Sequence, residues 1–375
     1  MLSTLVLVLV AALVFEYING FHDTANSIAT VVATKVLSPM QAVGLAAVAN
    51  LVGALWGTAV AKTIASGLID QAVVEVTSQV IVCALAGGIV WNLTTWYVGL
   101  PSSSSHALVG GLAGAAIAAS DGRWSSVIWS QPADSWYRSA GVLWKVVVPM
   151  VTSPLLGFTV GLLLMGLLFA LFWGMSLRPG VLRRIARPRW ANAFFGKAQL
   201  ASATYMGLAH GLNDAQKTMG IIALALVSAQ QAGTLDGLPG WLAWLHPSEA
   251  ALAHGDIDAW IKVTCAVTMA AGTAVGGWRI IRTLGHKMVR LQPVHGFAAE
   301  TSAATIITIA SSLGIPLSTT HNISAAILGV GAAKGFSAIR WTIVERMLWA
   351  WILTIPAAGG MAYGLYRFLH VLGLT

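Results

Sequence analysis

Charge is what this sequence has least of. Only 9% of its 375 residues are Asp, Glu, Lys or Arg, whereas 57% are hydrophobic. A soluble domain carries about 25% charged residues. A chain so poor in charge cannot cover a water-facing surface, and a mean hydropathy of +0.77 over its whole length describes a membrane protein, not a soluble domain with an anchor. Cysteine is almost missing. Cys83 and Cys265 each sit in an apolar run, without disulfide-type or metal-type spacing, so they read as small core residues. The start of the chain lacks a basic region and a small-residue cleavage site, and it carries Glu16. It reads as a retained first helix rather than a signal peptide.

The charge that is present is mostly basic and clustered. The net charge is +8. Arg178, Arg183, Arg184, Arg187, Arg189 and Lys197 crowd one central loop, and Arg279, Arg282, Lys287 and Arg290 crowd another. Basic loops stay on the cytoplasmic side of a membrane, which places both there. Because these charges flank apolar spans, we read them as topology signals and expect no nucleic-acid partner.

Apolar runs occur at about 1–19, 41–62, 73–99, 141–173, 198–209, 216–231, 259–278, 297–313 and 342–369, with shorter ones at 26–37, 105–119 and 321–333. A spanning helix needs roughly 20 residues. The short runs therefore read as half-helices or re-entrant segments, whose ends must be covered by protein or water. The expected fold is all-α, a polytopic membrane protein of about ten to twelve segments in two repeats. Residues 1–173 form the first repeat, 174–197 a basic cytoplasmic linker and 198–375 the second. The polar stretches 120–140 and 233–258 read as extramembrane loops.

Two motifs recur, one copy of each per half. Gly20-Phe21-His22-Asp23 returns as Gly211-Leu212-Asn213-Asp214, and Pro101-Ser102-Ser103-Ser104-Ser105-His106 returns as Pro316-Leu317-Ser318-Thr319-Thr320-His321. Paired breaks in apolar helices at corresponding places point to a transporter with its substrate site near the bilayer midplane. A carboxylate at that depth costs roughly 3 kcal/mol on insertion scales unless paired or wetted. Asp23 and Asp214 therefore read as cation or proton residues, with Asn19, His22, Thr24, Asn26, Ser27, Asn213, Gln216, Lys217 and Thr218 around them. The second motif reads as a proline in the first turn of a helix, followed by unpaired N–H groups at the positive end of the helix dipole. Such a turn is suited to an anion. Hydroxyls at Ser102 to Ser105 and Ser318 to Thr320 add donors, and two such starts facing each other could hold a tetrahedral oxyanion. His106 and His321 read as hydrogen-bond partners that fix the helices. Glu300 reads as a further cation or proton residue, Glu16 as a weaker one, and Asn92 as either a buried interhelical bond or a site residue. Trp91, Trp96, Trp349 and Trp351 read as interfacial or packing aromatics.

At these residues the chain resembles the PiT family of inorganic phosphate transporters. The match is carried by Gly20 through Ser27, by Trp91-Asn92 and Gly99 through His106, by His210 through Lys217, and by Glu300-Thr301-Ser302 and Pro316 through His321. The resemblance implies inverted repeats, a homodimer, and symport of phosphate with a cation. By it, the aspartate motifs serve the coupling cation and the Ser/Thr motifs hold phosphate. The sodium-coupled pattern Gly-x-Asn-Asp-x-Ala-Asn is altered in both copies: His22 replaces the first Asn, and Gln216-Lys217 replaces Ala-Asn. This variant is similar to the bacterial low-affinity branch, which implies a protein of the bacterial inner membrane, coupling to protons, and carriage of a neutral complex of phosphate with a divalent metal ion. Sulfate remains the alternative anion, and a channel the alternative class. A membrane-embedded hydrolase is disfavoured, since no nucleophile has a base at suitable spacing. We expect no enzymatic activity, no cofactor and no resident metal.

Overall fold

The computed structural model describes residues 2–66, 68–134 and 139–374. Residues 135–138, part of the expected 120–140 loop, lie outside the described residues. Every long element is helical, and the described residues hold only two isolated β-bridges, Ile69 with Val127 and Gln131 with Ala140. In an apolar solvent each backbone N–H and C=O must be paired within its own segment, and uninterrupted helices do this.

The same order of elements appears twice. In the first half a long helix α1 (Leu2–Ala33) leads to α2 (Pro39–Ala54) and α3 (Ala59–Ser66), a pair bent by 71°. Then come α4 (Ser78–Val98), the short α5 (Ser104–Ala119), and a π-helical turn, Leu143–Val147, that runs into α6 (Val148–Ser176). A small α7 (Val181–Ile185) precedes the second half. There the long helix is α8 (Pro188–Gln231), followed by a small α9 (Glu249–His254) and by α10 (Ala259–Val275) with α11 (Trp278–Arg282), bent by 58°. The series closes with α12 (Pro293–Ser312), the short α13 (Thr319–Ala332) and α14 (Trp341–Val371). Sequence sets several of these boundaries. Pro39, Pro188 and Pro293 open their helices at the first helical position. Gly99, at φ 69°, closes α4 in the left-handed conformation.

The halves pack crosswise. Helix α6 lies against α13 and α14 against α5, so each half's last helix covers the other half's short one. Helix α2 packs on α8, and α10 on α1. Glycine permits the closest of these approaches. A Cβ on Gly114 of α5 would lie 2.1 Å from the Gly359 carbonyl oxygen of α14, and one on Gly329 of α13 would lie 2.0 Å from the Phe158 oxygen of α6.

Four helices (α1, α4, α6 with its π turn, and α14) are long and apolar enough to cross a membrane, and each bent pair passes the same test if taken as one span. Helices α8 and α12 do not reach that apolarity, because their middles carry polar site residues, and α13 is too short. Two expectations need correction. Run 1–19 and the run starting at 26 lie in one continuous helix, Leu2–Ala33, and 198–209 and 216–231 lie in another, so neither Gly-x-x-Asp motif breaks its helix. Glycine removes no backbone hydrogen bond; Gly20 and Gly211 instead admit Met269 and Asn50 carbonyl oxygens that would lie 2.4 and 2.2 Å from an added Cβ. Helix α8 also starts at Pro188, inside the stretch expected as a linker.

Candidate functional site

The two aspartates come from the middles of α1 and α8, and both are buried. Helices α5 and α13 start at them. The proline of each Ser/Thr motif sits two residues ahead of the N-cap, not in the first turn as expected. The N-cap position is taken by serine, because its hydroxyl can accept from the third helical N–H. Ser103 accepts from His106 N and Ser318 from His321 N, each at 3.2 Å. The caps leave the first helical residues, Ser104, Ser105, Thr319 and Thr320, with N–H groups at the positive end of the dipole.

Hydroxyls from these turns reach the aspartates. Ser104 donates to Asp23 Oδ2 at 2.8 Å, Thr319 to Asp214 Oδ2 at 3.2 Å, and Thr320 lies 3.5 Å from Asp23 Oδ1. Asn26 ties the two motifs together, donating to Thr320 at 2.9 Å and Thr319 at 3.2 Å. His22 donates from Nδ1 to Asp23 Oδ1 at 2.6 Å. Its Nε2 lies 3.2 Å from the Thr95 hydroxyl, which is 2.8 Å from Ser102. On the other carboxylate, the Lys217 ammonium donates to Asp214 Oδ1 at 2.5 Å, and both residues are buried. His210 Nε2 lies 3.2 Å from Asp214 Oδ2, an ion-pair distance without hydrogen-bond alignment, while Nδ1 is 3.1 Å from Asn50 Oδ1. Two helix N-termini with three hydroxyls thus converge on two carboxylates, which themselves take up donors that an oxyanion would need.

Residues 19–362 match the phosphate transporter family, PHO4. The chain belongs to this family.

Similar proteins agree with it. The probable low-affinity inorganic phosphate transporter of Mycobacterium tuberculosis H37Rv is 44% identical over 99% of this chain and 79% of its own length. The Bacillus subtilis protein of the same description is 39% identical over 98% of this chain and 97% of its own. A solved structure titled the sodium-dependent phosphate transporter superposes with a TM-score of 0.76, covering 98% of this chain and 99% of that one at 21% identity, which shows a shared fold. The transporter is therefore a multi-pass membrane protein and not an enzyme, and its bacterial relatives place it in the plasma membrane.

Several expected residues fall elsewhere in the transporter. Glu300 is buried on α12 in a separate cluster, accepting from Thr30 at 2.5 Å, from Gln199 at 3.0 Å and from Ser202. Asn213 donates to Ser311 at 2.8 Å rather than to an aspartate. Ser102 serves Thr95 rather than an aspartate. Asn92 is buried with both amide atoms unpartnered, so it makes no interhelical bond. The histidines do not fix their helices. His106 and His321 pack edge to face at 4.8 Å, and His321 Nδ1, His321 Nε2 and His106 Nδ1 have no hydrogen-bond partner. Trp351 lies inside, stacked on His321 at 4.0 Å and donating to the Pro101 carbonyl at 3.0 Å.

Residues given no role from the sequence also border these groups. His210 precedes Gly211 and sits one helical turn before Asp214, a spacing that would have revealed it. Thr95 lies in the polar stretch Asn92 to Thr95. Asn50 and Thr273, joined at 3.0 Å, come from helices whose sequence holds no motif, and nothing local marks them.

Proposed function

We propose that this transporter takes up inorganic phosphate across the bacterial inner membrane by proton symport. The observation that carries the reading is the meeting of both Ser/Thr helix starts with Asp23 and Asp214. A phosphate in that cradle would be held by hydroxyls and N–H groups at helix N-termini, without arginine. Ionised Asp23 opposes this twice: its charge repels the anion, and it occupies the Ser104 hydroxyl. A proton on Asp23 removes the charge and frees the donor, so proton and phosphate enter together.

Lys217 explains why sodium is not needed. It stands where the sodium-coupled pattern has an asparagine, and its ammonium reaches Asp214. Attraction between unit charges at 4 Å is about 4 kcal/mol at an effective dielectric near 20, so a tethered cation can replace a bound one. Asp23, His210 and Asp214 also present atoms within 4.8 Å of one another, donors suited to a divalent ion. A divalent ion brought in as a neutral complex with phosphate, as cargo, would be held there only while Asp23 is ionised, so metal binding and protonation of Asp23 are alternatives.

The test is radiolabelled phosphate uptake into proteoliposomes, competed with sulfate and arsenate, with and without an imposed pH gradient. Saturable uptake that is stimulated by an inward proton gradient and competed by arsenate supports the reading. Competition by sulfate with equal strength overturns phosphate selectivity. Flux that does not saturate overturns the carrier.

A further inference from the structure

The connections on the two sides of the molecule differ in charge. Those after α3 and α5 carry Asp70, Glu75, Asp121 and Asp134 beside Arg123 and Arg138, whereas their counterparts after α11 and α13 carry Lys287, Arg290, Lys334 and Arg340 and no carboxylate. The positive-inside rule puts the second pair of connections in the cytoplasm. They are joined there: Arg340 N donates to the Met288 carbonyl, and the Lys334 ammonium to the Arg290 carbonyl, each at 3.1 Å. Between them lies a cavity of about 400 Å³ lined by His286, Arg290, Lys334, Ser337 and Arg340, among others. It would hold roughly a dozen waters at about 30 Å³ each, more room than one phosphate group needs. No carboxylate lines it, and none of its basic side chains is ion-paired among the described residues. Arg340 is also the N-cap of α14, so the helix dipole adds positive potential.

The next residue on α14 opens a second space of opposite character. An apolar groove of about 480 Å³ runs between α6 and α14 over α13, lined by Val151, Leu155, Phe158, Trp341, Leu348 and Ile352 among others. Val151, Leu155, Trp341, Leu348 and Ile352 are all more than 40% exposed. From Trp341 to Ile352 the helix rises about 16 Å at 1.5 Å per residue. One leaflet's share of a hydrocarbon core roughly 30 Å thick is about 15 Å. Trp341 stacks with Phe336 at the mouth, 6.5 Å between centroids, where amphipathic aromatics sit at headgroup level.

From this geometry we propose that the basic pocket and the groove together hold one anionic phospholipid of the inner leaflet. The head phosphate lies among Arg290, Lys334, Ser337 and Arg340, and an acyl chain runs down the groove. Charge selects the headgroup, and groove length matches one leaflet. The groove floor includes His321 and Trp351, so the bound chain ends against the helix start that faces phosphate.

Native mass spectrometry of the purified full-length protein, with phosphatidylglycerol or phosphatidylcholine added, tests this. Phosphatidylglycerol stays bound and phosphatidylcholine does not. The double variant Arg290→Gln, Arg340→Gln binds phosphatidylglycerol about 25-fold more weakly, at roughly fivefold per basic group, with unchanged elution and circular dichroism. Leu348→Trp, which fills the groove and leaves every charge in place, also releases the lipid. Equal retention of both lipids, or retention by both variants, overturns the proposal. Displacement by millimolar inorganic phosphate overturns it in favour of a free anion. Conversion of a dimer to a monomer by Leu348→Trp, without lipid loss, overturns it in favour of a second copy of the chain.

Discussion

At the residue scale, the proposed phosphate site rests on hydroxyls whose donors are already committed. Ser104 and Thr319 each spend their hydrogen on an aspartate (2.8 and 3.2 Å). Losing a hydrogen bond to a charged group costs about 1.5–3 kcal/mol. Ser104→Ala and Thr319→Ala should therefore weaken phosphate binding roughly ten- to hundredfold while leaving the protein folded. Equilibrium binding of labelled phosphate to each variant and to the double variant is the measurement, and near-normal affinity in all three would remove the hydroxyls from the site. Lys217 presents the complementary case. A buried ion pair contributes modestly to net stability, because both charges were taken out of water, but removing one partner strands the other and costs about 3–5 kcal/mol. Lys217→Asn should lower the melting temperature and impair uptake together. A variant with the parent's melting temperature would show that Asp214 does not depend on the ammonium.

At the element scale, the short helices α5 and α13 are held by the last helix of the opposite half, through glycine contacts too close for any side chain. Gly114→Ala and Gly329→Ala place a Cβ about 2 Å from a carbonyl oxygen. One helix must move in each case. Overpacking of this kind typically costs about 1–3 kcal/mol, and here the displaced element carries Ser104 or Thr319 at its tip. We expect each variant to melt earlier and to bind phosphate more weakly, since the tip moves with its helix. Thermal melts alongside phosphate binding check this, and an earlier melt with unaltered affinity would show that the tips are positioned independently of α6 and α14.

At the scale of the whole molecule, the proposed coupling rests on the two halves meeting. Asp23 belongs to α1 of the first half and is touched by Ser104 of its own half and Thr320 of the other; Asn26 of the first half reaches both Thr319 and Thr320 of the second. Uptake should therefore respond to an inward proton gradient and be indifferent to external sodium at constant pH; a steep rise with sodium would refute proton coupling. Asp23→Asn keeps the shape and removes the titratable group. It should lose uphill accumulation in proteoliposomes while still exchanging phosphate at equilibrium, and a variant that accumulates as the parent does would make Asp23 structural only.

The sequence by itself determined the class of this protein. Too little charge for a water-facing surface, apolar runs of membrane length and motifs repeated once per half are one-dimensional properties, and they sufficed for an all-α membrane transporter. Asp23, Asp214 and the two Ser/Thr turns were legible because expensive polar groups stand out in apolar surroundings. Only the tertiary structure decided which of them meet. Sequence periodicity could not show that α1 and α8 run unbroken through Gly20 and Gly211, because a glycine looks like a break until the neighbouring helix that needs its missing Cβ is in place. Nor could it separate Glu300 from the aspartates or bring Asn50 of the first half to His210 of the second. Such partnerships join residues far apart in the chain. They arise from the crosswise packing of two halves, and no local pattern of side chains encodes the distance between two helices.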